Sequence, residues 1–122
     1  MLLSNKETTI SEESPHAVQL EEITEVTVET EDTKITVTDA KEIINLYYAL
    51  FHSTIKKGEK AVKEDYKSYW ITIKSDKGRE FGLRLDSELN VSTYDYRENK
   101  MNAKNYLFTE NKPLHMIESL LQ

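Results

Sequence analysis

The sequence predicts an α+β fold: two layers, a mainly antiparallel sheet with helices on one face, in the order β-β-α-β-β-β-β-α. Three observations carry this prediction. "ITEVTVET" and "KITVT" alternate apolar and polar residues, and "SYWITIKSDKGREFGLRL" alternates on both sides of a glycine-containing turn. Between them, "TDAKEIINLYYALFHSTIKKG" carries a 3.6-residue apolar period.

At 122 residues the chain holds one small domain and a tail. Residues 1–20, "MLLSNKETTISEESPHAVQL", are rich in Ser, Thr and Glu without sustained periodicity and read as a flexible polar N-terminal tether. Residues 21–122 read as a single α+β domain. Its first hairpin places Val28 opposite Ile35, Val26 opposite Val37 and Glu29 opposite Lys34, a register that a slip of one residue would destroy. Glu31 and Asp32 suit a four-residue loop around a type I turn.

The helix that follows has Asp39 as N-cap, with Glu42 three residues on. Ile43, Leu46, Tyr47, Leu50 and Phe51 form its stripe, supported by Ile44 and Ile55, and Gly58 supplies the C-terminal stop. "EKAVKEDYK" is a polar connection. In the second hairpin, a three-residue "DKG" loop with Gly78 left-handed pairs Lys74 with Glu80, Ile73 with Phe81, Thr72 with Gly82 and Trp70 with Arg84. A two-residue turn mixes the faces and is rejected. One face is then Tyr69, Ile71, Ile73, Phe81, Leu83 and Leu85, covered by the helix stripe. The other holds Trp70, Thr72, Lys74, Glu80, Gly82 and Arg84 and meets water. "VSTYDY" and "NYLF" are two further strands, and "PLHMIESLLQ" closes as a helix with Leu114, Ile117, Leu120 and Leu121 on its apolar side.

Charge is unevenly placed. Residues 1–32 hold nine acidic residues against Lys6 alone, while residues 33–122 hold 15 Lys/Arg against 13 Asp/Glu. With a net charge of −6, the chain lacks the basic footprint of a nucleic-acid binder. No apolar run approaches the roughly 18 residues that span a bilayer. The absence of cysteine removes disulfides, thiol catalysis and Cys-based zinc sites together.

Catalytic and metal motifs are likewise missing from the sequence pattern. His16, His52 and His115 have no partner at HExxH-like spacing, and no serine sits in a G-x-S-x-G elbow. Three glycines leave no phosphate-cradling loop. The carboxylate pairs Glu64/Asp65 and Asp86/Glu88 fall in loops. No enzyme activity, metal or cofactor is expected.

The binding candidates lie elsewhere. Trp70 stands exposed opposite Arg84, either as a cation–π pair whose indole covers the Gly82 gap or as an aromatic anchor for a partner. Tyr94 and Tyr96 share one face of their strand. Pairing with Leu83 and Phe81 puts both rings on the core side, the arrangement that strand alternation favours; the alternative sets them beside Trp70. Arg97 opens the polar loop "RENKMN", the remaining candidate for contact with a partner.

"ITEVTVET…KITVTDAKEIINLYYAL", "YWITIKSDKGREFGLRL" and "NYLFTENKPLHMIESLL" together resemble the small, uncharacterised YhfM-like extracytoplasmic lipoproteins of Bacillus-type Firmicutes, over about residues 22–121. The resemblance implies a lipid-anchored domain outside the membrane and transfers no functional residue. A lipoprotein precursor carries a signal peptide and a lipobox cysteine; without them, the chain is expected to be the mature domain behind its tether. The expectation is a monomeric, non-enzymatic extracytoplasmic domain that binds a protein or cell-envelope partner, with no nucleic acid involved and membrane contact only through the anchor. A cytosolic interaction module, such as an immunity-type or phage-encoded inhibitor, is the alternative, since an acidic surface can mask a basic partner site.

Overall fold

The computed structural model describes residues 7–14, 18–58, 67–96 and 103–122. They form an α+β fold with an antiparallel eight-stranded sheet and three helices. In chain order the elements are β1 (Thr8–Thr9), α1 (Ile10–Glu13), a 3-10 turn (Leu20–Glu22), β2 (Glu25–Glu29), β3 (Lys34–Val37), α2 (Ala40–Phe51) and β4 (Thr54–Lys57). β5 (Ser68–Ser75), β6 (Gly78–Asp86), β7 (Asn90–Asp95), β8 (Lys104–Phe108) and α3 (Lys112–Leu120) follow. The strands lie in the order β1-β4-β8-β7-β6-β5-β2-β3.

The β2–β3 hairpin has the predicted register, Val26 with Val37, Val28 with Ile35 and Glu29 with Lys34. Its loop closes through a Thr30 N–H bond to the Thr33 carbonyl at 2.8 Å, and the Thr30 hydroxyl accepts from the Asp32 and Thr33 amides. Asp39 caps α2 by accepting from the Glu42 amide at 3.1 Å.

Three elements exceed the predicted order. β1 and α1 arise within the stretch expected to be a tether: Thr9 caps α1, and Ile10 is fully buried in the main core. The third is β4. The apolar period was expected to carry the helix to Gly58, but α2 ends at Phe51 with His52 as C-cap. Ile55 instead pairs with Phe108 on one side and Thr8 on the other, and is fully buried. Burial of a β-branched residue between two strands outweighs a helical period that two lysines would have ended solvent-exposed. Gly58 therefore ends no helix. It brings the β4 end against β8, where a Cβ would stand 2.9 Å from the Tyr106 carbonyl carbon.

One side of the sheet carries the core. Val26, Val28, Tyr69, Ile71, Ile73, Phe81, Leu83, Leu85, Val91 and Phe108 are each at most 1% exposed, and α2 supplies Leu46, Leu50 and Phe51 against them. The Phe51 and Phe81 rings meet at 5.5 Å. Contact with α3 includes the Tyr69 hydroxyl, which donates to Glu118 at 3.2 Å. Ile44, expected to support the stripe, is 41% exposed because it lies beyond the buried arc of α2.

Candidate binding face

The β5–β6 pairing decides what the other side of the sheet presents. From Ser68–Asp86 to Ile73–Phe81 the register is the predicted one, so Trp70 faces Arg84 and Thr72 faces Gly82. At the tip it differs: Ser75 pairs with Gly78 and Lys74 with Arg79, and a bulge next to Ile73 leaves Glu80 as the extra residue. The hairpin thus closes on the two residues Asp76 and Lys77, with Gly78 at φ 113°, and the bulge restores the alternation that such a turn would otherwise invert. Glu80, expected on the open face, is buried and accepts from the Ser75 hydroxyl at 3.0 Å.

β7 turns two expectations over. Tyr94 pairs with Gly82 and Thr93 with Leu83, so Val91 and Thr93 face the core while Ser92, itself buried, and half-buried Tyr94 lie on the opposite side of the sheet. The cause is the tight connection after β6. Asp86, fully buried, accepts from the Glu88 amide, the Asn90 amide and the Asn90 side chain at 2.8–3.0 Å, and so sets Leu85 against Val91. A period of two then fixes every later position. Tyr96 also lies outward: its ring occupies the space over Gly82, with Cε2 2.9 Å from where a Cβ would be. Tyr96, not Trp70, fills the glycine gap.

The outward positions consequently assemble an aromatic and cationic centre. Trp70 is 41% exposed, with the Arg84 guanidinium 4.7 Å above its ring and the Tyr94 ring 6.0 Å away. The Arg79 guanidinium stacks at 4.8 Å over Tyr96. Beyond Arg84 the row continues to Ser92, whose hydroxyl donates to Asn105 at 2.7 Å. Arg84 Nε is shut off from water and has no hydrogen-bond partner among the described residues. An orphaned donor of this kind costs about 1–3 kcal/mol. Arg97, the fifth binding candidate, lies outside the described residues, as do His16, Glu64, Asp65 and the "RENKMN" loop.

Charge on this face runs against that of the chain. Its outward strand positions hold Lys34, Lys56, Lys74, Arg79 and Arg84 against Glu25, Glu29 and the fully buried Asp86. Glu25 bonds Lys74 at 3.3 Å, and Glu29 lies between Lys34 and Trp70 in the register. Among the described residues neither arginine has an ion-pair partner.

Two features lay outside the sequence reading. Ile44 and Tyr48, one turn apart on α2, are 41% and 50% exposed. Beside them a groove of about 400 Å³ is lined by Leu20, Ile23, Ala40, Ile43 and Ile44 with Glu21, Thr24 and Thr38. The apolar doublet at 43–44 was the available signal, because a single stripe accommodates one of the pair. His52 lies against the Tyr47 and Tyr48 rings, and His115 is exposed on α3. Among the described residues no cluster of three His, Asp or Glu side chains is placed to hold a metal ion, and no helix is long and apolar enough to cross a membrane. Comparison with known protein families, with curated proteins and with solved structures finds no match.

Proposed function

We propose that this protein is a non-enzymatic binding domain that docks a protein partner on the open face of its sheet, through Trp70, Tyr94 and Arg84. One observation carries the reading: an indole 41% exposed at the centre of a sheet, framed by an arginine and a tyrosine. Tryptophan, tyrosine and arginine are the residue types that concentrate binding energy at protein interfaces. Their rigid placement on neighbouring strands lowers the ordering cost of association. An extracytoplasmic, membrane-tethered setting belongs to the same proposal and is supported by the sequence resemblance to YhfM-like lipoproteins. Fractionation of cells expressing the native gene tests the setting, and recovery in the cytosol removes it.

The docking surface is tested with a photocrosslinking residue placed at Thr36 on the open face, or at Glu42 on α2, in the native host. The expected result is a discrete adduct from position 36 that is lost when Trp70→Ala is added. Adducts that arise equally from position 42, or that persist with Trp70→Ala, remove the open face as the binding surface.

A further inference from the structure

We infer that the segment taken by this face is an acidic, extended stretch of the partner. Two carboxylates four residues apart flank an apolar side chain, and the acids pair with Arg84 and Arg79. The inference rests on the open face being the docking surface and names the chemistry of what docks there.

Charge selects the class. The chain as a whole is acidic, at −6, yet this face carries an excess of cations; of its carboxylates, Glu25 is bonded to Lys74, and buried Asp86 is held by the Glu88 and Asn90 amides and the Asn90 side chain. Arg84 and Arg79 are left stacked on rings without an ion-pair partner among the described residues. A guanidinium held flat on an aromatic ring keeps its forked N–H edge for a carboxylate. Arg84 Nε, out of water and without a hydrogen-bond partner among the described residues, marks a guanidinium whose hydrogen bonding is incomplete.

Register sets the spacing. Arg84 is level with Trp70 and Arg79 with Lys74, four residues further along β5, so the Cα positions of the two arginines stand about 13 Å apart at the rise of a strand. An extended peptide has the same rise and presents residues i, i+2 and i+4 to one side. Acids at i and i+4 then reach both arginines, and the side chain at i+2 falls between them, against Tyr94 and the Tyr96 ring over Gly82. Single-stranded nucleic acid fits less well. Two arginines do not make the cationic stripe that tracks a phosphate backbone, and the chain's net charge opposes it.

Trp70 is the only tryptophan, so its emission reads the occupancy of this face directly. The probe is the capped peptide Glu-Thr-Leu-Thr-Glu, titrated to about 1 mM, the affinity range of a short weak segment. Expected is a saturable change in emission that weakens at least about tenfold with the Gln-Thr-Leu-Thr-Gln peptide or with Arg84→Gln. Arg79→Gln also weakens binding, and Arg84→Lys, which keeps charge without the fork, falls between the wild type and Arg84→Gln. Thermal melting of each variant confirms that the fold is kept. Absence of binding, equal binding of the glutamine peptide, or tighter binding of oligothymidylate each overturns the inference. Should the Thr36 crosslink survive any of these results, the docking face stands and only its acidic occupant falls; loss of both removes the shared premise.

Discussion

Tyr69 shows how one side chain can serve the core and still report on pH. Its ring is buried among the sheet residues while its hydroxyl donates to Glu118 of α3. Burial raises its pKa above the ordinary tyrosine value, and the neighbouring Glu118 charge and hydrogen bond add to the shift. Burial likewise raises Tyr47 and Tyr106. In each case the folded chain holds the phenol proton to higher pH than the unfolded chain does. The stability this provides is fully present below about pH 10 and is lost as pH climbs through the raised folded values. Urea midpoints are therefore expected to hold between pH 8 and 9.5 and to fall above about pH 10. Tyr69→Phe is expected to shallow that fall while removing about 1 kcal/mol of hydrogen bonding at neutral pH. An alkaline fall of unchanged slope in Tyr69→Phe removes Tyr69 from the effect.

Among the elements, β4 depends most on its neighbours. It lies between a two-residue strand and β8, and Gly58 at its end touches the Tyr106 backbone, which no side-chain rotation can relieve. Gly58→Ala is expected to cost about 1–3 kcal/mol, the range for forced overpacking, with amide exchange accelerating first in β4 and β8. An unchanged melting curve contradicts this. By contrast Gly82→Ala meets only the end of the Tyr96 side chain, which can swing away. The β2–β3 hairpin and the body of β5–β6 were legible in the sequence because each buries one alternating face; the β5–β6 tip was not, since its two-residue turn is reconciled with that alternation only by a bulge. β4 was not, since "STIKKG" continues the apolar period of α2 and nothing local marks the switch from helix to strand. The Tyr94 and Tyr96 positions turned on Asp86, whose three hydrogen bonds set the register, and on Val91, the single apolar residue arguing for the observed face.

For the whole molecule, the chain's path links the two ends of the sheet. β1 sits at one edge, beside β4, whereas β2 and β3 occupy the other end, so residues 10–24 connect opposite sides of the fold. Along that route Ile10 and Val18 are buried and Leu20 packs against the core cluster. Ile10→Ala is expected to cost about 2–5 kcal/mol, as large-to-small changes in a closed core do. A loss under about 0.5 kcal/mol, the scale of an exposed site, shows the N-terminal segment to be separable from the core. The same arrangement puts acidic Glu12, Glu13, Glu21 and Glu22 on α1 and the 3-10 turn.

By itself the sequence determined the α+β class, the β2–β3 register, the β5–β6 register as far as Ile73–Phe81, the α2 cap and the pairing of Trp70 with Arg84. Those features follow from periodicity, capping and turn chemistry, which act over a few residues. Tertiary structure decided the rest. A buried Ile55 between strands ended a helix, a buried Ile10 drew in a polar N-terminal stretch, and a buried Asp86 turned Tyr94 outward beside Trp70. Each depends on a contact between residues distant in the chain, or on a side chain's burial, and neither is written in local pattern.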